Sequence, residues 1–177
     1  MGLFAYRLMG AAMLDAAMYE GIEADRRTTM QAMSAVVLAS LAAGIGAGEW
    51  LGTRAITLAV VTALAVITWS AWAMLVFQIG TRLLPEPQTQ ADWGQLLRTT
   101  GFAAAPGFLL IFGLIPQGRG AVFAVVGVWM FAAMVFGVKH ALDYRHGARA
   151  LGVCLVAAVA SLGLAFAASA LLAPGVH

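Results

Sequence analysis

Between Ala55 and Gly80 the chain runs for 26 residues without a charged side chain. About 20 apolar residues suffice to cross a bilayer as an α-helix, so a run of this length carries room for tilt. Similar runs cover about residues 29–48, 121–138 and 150–173. The whole chain of 177 residues is 62% hydrophobic and 10% charged. Soluble domains average about 45–50% apolar and about 25% charged, so a water-soluble fold is excluded. Period-2 alternation is absent, which argues against a membrane β-barrel. The expected fold is all-α, a single integral membrane bundle over residues 1–177.

A fifth apolar stretch differs from the rest. Trp93 to Pro116 reads WGQLLRTTGFAAAPGFLLIFGLIP. It begins polar, is interrupted by Pro106-Gly107 and stops at Pro116. Its apolar part, 100–115, would span about 24 Å as an α-helix, less than the core of about 30 Å. Extending it back to Gln95, with Arg98 snorkelling, makes a crossing feasible. Pro106 lacks a backbone donor and frees the carbonyl of Phe102. The break admits two readings: a kinked packing helix, or a site for ions or polar substrates as in transporters.

Charge placement sets the topology. With crossings at about 29–48, 55–80, 95–115, 121–138 and 150–173, eight of the ten basic residues fall on one side. Arg54 and Arg119 fall on the other. A re-entrant third segment would leave six against four. The positive-inside bias therefore favours five crossings, with the N-terminus cytoplasmic and the C-terminus outside, as in a bacterial inner membrane. No cleavable signal peptide is expected.

Residues 1–28 precede the first crossing and read as one short helix. Phe4, Leu8, Met18 and Ile22 share a face, opposite Glu20 and Glu23, while Asp15 intrudes on the apolar arc. The segment either lies in the membrane interface or packs against the cytoplasmic ends of the spans; its acidic polar face favours packing. Small residues recur every four positions at Ala35, Ala39, Ala43 and Ala47, at Ser40, Gly44 and Gly48, and from Ala157 to Ala173. Such faces allow close helix approach and homo-oligomers. Glu49-Trp50 marks an interface, and Pro85-Glu86-Pro87-Gln88 reads as an extended linker.

Chemistry-bearing groups are sparse. The five run centres hold no ionisable residue, which weighs against proton-coupled transport. Hydrolase, zincin and Walker motifs are absent, so no enzyme and no cofactor are expected. The net charge of +2 does not favour nucleic acid. His140, Asp143 and His146 are spaced to share a broad helix face and could suit zinc or iron. The competing reading is an interfacial helix end that Gly147 terminates. Cys154 is single and sits in an apolar run, where it reads as a small hydrophobe.

Several of these stretches resemble the bacterial branch of the Yip family (the Ypt/Rab-interacting-protein family). The strongest are Gly101-Phe102 through Ala105-Pro106-Gly107, Gly113 to Pro116, and Ala141-Leu142-Asp143-Tyr144. Leu14-Asp15 and the run Tyr19 to Asp25 are also similar. The resemblance implies five transmembrane helices with a cytoplasmic N-terminus and no catalytic residue. Eukaryotic members are trafficking-associated proteins that contact Rab-type GTPases and help shape membranes. The function expected here is a non-enzymatic interaction or membrane-organising protein. Its partners would be the lipid bilayer and a membrane or cytoplasmic protein. The candidate surface comprises Asp15, Glu20, Glu23, Arg98, Lys139, Asp143, Tyr144 and Arg145. The alternative is a small transporter or channel using Pro106 and Gly107.

Overall fold

The computed structural model describes residues 2–47, 55–89 and 91–172, with side chains at 55, 57, 58, 61 and 164–172 excluded. All regular structure among the described residues is helical. In chain order it comprises α1 (Leu3–Ala12), α2 (Ala16–Ala24), α3 (Thr28–Gly46), α4 (Ala55–Gln78), α5 (Trp93–Phe102), α6 (Arg119–Ala141) and α7 (Gly147–Leu172). A π turn, Ile79–Leu83, extends α4, and a 3-10 segment, Ala105–Leu114, follows α5. Among the described residues four stretches are long and apolar enough to cross a membrane: Thr28–Gly46, Thr62–Leu83, Trp93–Leu114 and Arg119–Ala141. In α7 the described side chains form a shorter apolar stretch, Gly147–Gly163.

The proline-broken stretch is the core of the bundle. Across its most apolar 18 residues 72% are buried, against 22–33% in the other three long stretches, so the rest of the chain is wrapped around it. Its length problem is solved by a change of pitch. A 3-10 helix rises about 2.0 Å per residue, so ten residues reach about 20 Å instead of about 15 Å. With α5 contributing about 15 Å more, the element matches a bilayer core. Pro106 falls in the first turn of the 3-10 segment. There a missing N–H breaks no existing helical bond. The carboxylate of Asp92 starts α5 by accepting from the Gln95 N–H at 3.0 Å, and the Gln95 side chain accepts from the Asp92 N–H in return. This is a capping box.

Helix α3 lies closest to this central element. Six of its seven buried positions, all but Val36, alternate by four and three residues: Thr28, Ala32, Ala35, Ala39, Ala42 and Gly46. That is the spacing of a left-handed helix seam, here built from small side chains. Ala32 packs on Gly101 and Ala39 on Gly107. At Gly46 a Cβ atom would sit 1.8 Å from the Leu110 carbonyl oxygen. Only glycine permits that approach. The strict four-residue ladders differ from this seam. A Cβ on Gly44 would meet nothing within 4 Å, and Gly48 lies outside the described residues. Glu49 and Trp50 also lie outside them, as do the side chains of Ala165, Ser169 and Ala173.

The N-terminal segment is two helices. The chain turns at Leu14, which has φ 59°, and Asp15 caps α2 by accepting from the Met18 N–H. The pair is packed against the bundle: Phe4, Leu8, Ala11, Met18, Tyr19 and Ile22 cluster with Ala32, Phe102 and Phe136. The single-helix expectation fails because its apolar face belongs to two helices that meet. Asp15 intruded on the arc because the arc ends there.

The Gly46 contact is testable. Gly46→Ala is expected to part α3 from the 3-10 segment and lower stability by about 1–3 kcal/mol. Gly44→Ala, two residues away on an open face, should change it by less than about 0.5 kcal/mol. Thermal unfolding of the purified protein in detergent checks both.

Candidate functional site at the charged end of the bundle

The start of α5, the end of α2 and the turn between α6 and α7 meet at one end of the molecule. Arg98 organises them. It is 4% exposed, and its Nε and Nη2 donate to the Glu23 backbone carbonyl at 3.0 and 2.6 Å. The guanidinium thus caps the C-terminal end of α2, where the helix dipole is negative. The contact is to the main chain, not to an acidic side chain.

Glu23 itself is half-buried. Burial, then the nearby Asp143 carboxylate, raise its pKa to about 7, with Arg98 acting in the opposite direction. Asp25 sits in the following turn and is held below the usual carboxylate range by the Arg27 N–H and by Arg7. Arg7 spans from α1 to bridge Asp25 at 2.8 Å and the Gln31 side chain at 3.1 Å.

Helix α6 ends earlier than Gly147. Asp143 adopts φ 53°; its N–H bonds to the His140 carbonyl at 3.0 Å, and the Tyr144 N–H bonds to the Lys139 carbonyl at 2.9 Å. This is a Schellman motif with aspartate in the left-handed position that glycine usually occupies. Gly147 instead begins α7. Tyr144, 3% exposed, turns inward. Its hydroxyl lies 3.0 Å from the Gly80 carbonyl and 2.8 Å from that of Leu84, so it braces the π turn. Burial raises its pKa to about 12.

The segment read as a linker is a strut. Glu86 accepts from the Arg145 N–H at 3.1 Å and pairs with Arg149 at 3.5 Å. Gln88 donates to Glu86 and to the Asp143 carbonyl. The only sequence signal for Glu86 was an acid held between two prolines.

Of the eight residues expected on one surface, the structure gathers seven around this end in different states. Glu20, Asp143 and Arg145 are exposed, and Glu23 and Lys139 are half-buried. Arg98 and Tyr144 are buried and hold the fold together, so they leave the surface set. Asp15 stands apart at the α1–α2 turn. His140 packs its ring against Phe136, at 4.7 Å, and Tyr19, at 6.1 Å. Its Nε2 is buried without a partner among the described residues. His140, Asp143 and His146 do not share a helix, because α6 stops at Ala141. No group of three metal-ligating side chains occurs among the described residues.

Deeper in the bundle, Pro106 and Gly107 are buried, with Ala39 and Met130 against Gly107. Beside them an apolar groove of about 990 Å³ opens between α4 and the faces of α3, α6 and α7. Trp69 crosses its wall, donating from Nε1 to the Thr100 hydroxyl at 3.2 Å.

No family model matches the chain, and no curated protein or solved structure matches it either.

Two experiments probe this end. Asp143→Gly should be neutral or stabilising by up to about 1 kcal/mol, since glycine suits the left-handed position. Tyr144→Phe should cost about 1–3 kcal/mol by leaving buried carbonyls unpaired. Thermal unfolding of both variants distinguishes a structural role from a surface one. The second concerns pH. Glu23 has a folded pKa of about 7 and an ordinary value of 4.5, so the folded state holds the extra proton between these values. Stability contributed by this group is therefore present below pH 4.5 and falls as pH rises through about 7. Glu23→Gln should flatten that decline, read as amide exchange protection of α2 across the window.

Proposed function

We propose that the chain is a five-crossing membrane protein of the Yip type, with a cytoplasmic N-terminus, acting as a non-enzymatic docking or membrane-organising protein. The fifth crossing would be α7, a helix of 26 residues. Support for the orientation comes from the basic residues, which fall mostly on the side of the charged end. One observation carries the docking reading. Exposed charges of both signs, Glu20, Asp143 and Arg145, flank one end of a bundle that is otherwise apolar outside. They stand on main-chain stops and struts, which suits a rigid recognition surface.

Transport through the Pro106 break fits less well. Side chains fill the space beside Gly107, and the 3-10 segment takes up the proline without a gap. The groove beside α4 favours a second reading, in which the bundle holds an apolar chain such as a lipid tail. At about 990 Å³ it lies at the upper end of the usual range for ligand sites.

Site-specific photocrosslinking in native membranes tests the two readings together. A crosslinker at Arg145 is expected to capture a discrete protein that Asp143→Lys abolishes. Adducts with lipid alone at Arg145 would sink the docking reading. A discrete apolar adduct from Met134, which lines the groove, would support the second.

A further inference from the structure

We infer that α1 lies flat within the leaflet at the charged end of the bundle, its Leu3, Tyr6, Met9 and Met13 face set against lipid acyl chains. The inference rests on the membrane-spanning reading above.

The first support is chemical. Leu3, Tyr6, Met9 and Met13 are 61, 57, 48 and 74% exposed. The opposite face, Phe4, Leu8 and Ala11, is packed into the bundle. Arg7, the one charged residue in α1, has a side chain only 14% exposed and is tied to Asp25 and Gln31. Apart from the Tyr6 hydroxyl, α1 thus shows no polar side chain to its surroundings. A helix apolar all round belongs in a core or a membrane. Ten residues reach only about 15 Å, so α1 cannot cross.

The second support is depth. Trp129 Nε1 donates to the Ala12 carbonyl at 2.8 Å. Trp129 stands about 18 Å along α6 from its Ala141 end, at about 1.5 Å per residue. The other end of α1 is level with the middle of the central element, where Phe4 meets Phe102 edge-to-face at 6.1 Å. Both ends of α1 therefore sit well inside the apolar spans. Arg7 reaches from this level to the start of α3, as a snorkelling cation does.

The third support is the helix end. A left-handed turn at Leu14 satisfies the inner carbonyls of such a helix end in any surroundings, but it leaves the last one over, which solvent takes in water and a protein donor must take in lipid. Here all four carbonyls have protein donors. Met13 N–H bonds to Met9, Asp15 N–H to Gly10 and Leu14 N–H to Ala11, at 3.0, 3.0 and 3.2 Å. Trp129 takes Ala12, and the Tyr19 hydroxyl adds a second contact to Ala11 at 3.3 Å. Asp15, three residues beyond Ala12, caps α2 through the Met18 N–H at 3.3 Å and is exposed, so the α1–α2 turn is the polar edge of this face.

Lipid is the occupant because the face is continuous with one already exposed on a span. Val125 and Val128, 64 and 72% exposed, stand beside Trp129 on α6. What covers them at that depth also covers Met13.

Nitroxide labels in a Cys154→Ala background test this in vesicles of phosphatidylethanolamine and phosphatidylglycerol. Met9→Cys and Met13→Cys carry the question. Val128→Cys is the spanning reference and Glu20→Cys the aqueous one. The expected result is a ratio of oxygen to nickel-chelate accessibility at Met9 and Met13 several-fold above that at Glu20, matching Val128. Nickel access at Met9 and Met13 with Val128 still in lipid would overturn the inference and leave the spanning reading intact. Protection from both relaxants would overturn it in favour of a second copy or a protein partner. Nickel access at Val128 as well would overturn the spanning reading itself.

Discussion

Contact between α3 and the central element, backbone against backbone, is the constraint on which the other packing depends. A Cβ on Gly46 would overlap the Leu110 carbonyl, and Ala32 and Ala39 stand close against Gly101 and Gly107. In a bilayer, apolar burial gives little preference for helix over lipid, so association rests on close dispersion contact. Small side chains on both partners supply it. With the two elements locked, α4 and α6 close around them, and the N-terminal pair seats on Phe102. The π turn of α4 is then braced from outside the seam, by the Tyr144 hydroxyl.

The charged end is built by stopping helices rather than by pairing charges. Arg98 ends α2, Asp143 ends α6 in a left-handed residue, and Asp92 begins α5. Salt bridges among the described residues are two, Arg7–Asp25 and Arg149–Glu86. Neither involves the exposed Glu20, Asp143 or Arg145, whose carboxylates and guanidinium remain turned outward. A surface made this way has its main chain fixed while its charges stay available.

Much of the architecture was legible in the residues. Run length and the scarcity of charge pointed to helices and a membrane, and Asp92 ahead of Trp93 is a residue type that starts a helix, as it does for α5. Asp15 was the clearest discordant signal. A charge in an apolar arc marks either a functional site or the wrong helix, and here it marked the wrong helix. The 3-10 segment was not legible, because hydrophobic pattern reports which residues are apolar and not the pitch on which they are wound. Nor was the inward turn of Tyr144: a tyrosine beside Asp143 and Arg145 reads as surface until the carbonyls of Gly80 and Leu84 are seen to lie under it. Arg98 illustrates a further limit. Snorkelling would have kept its guanidinium in water, and the main-chain acceptor on another helix that buries it leaves no trace in side-chain spacing.

The change of pitch at Ala103-Ala104 has a mechanical consequence. Each residue turns the α5 half by about 100° and the 3-10 half by about 120°. The two halves therefore mesh with their neighbours like gears of different tooth count on one shaft. Slipping the shaft by one residue cannot restore both at once: Gly101 and Gly107 would leave Ala32 and Ala39 by unequal angles. A uniform helix can ratchet along its neighbour and find a new register. This element cannot, and so it fixes the axial position of the whole bundle.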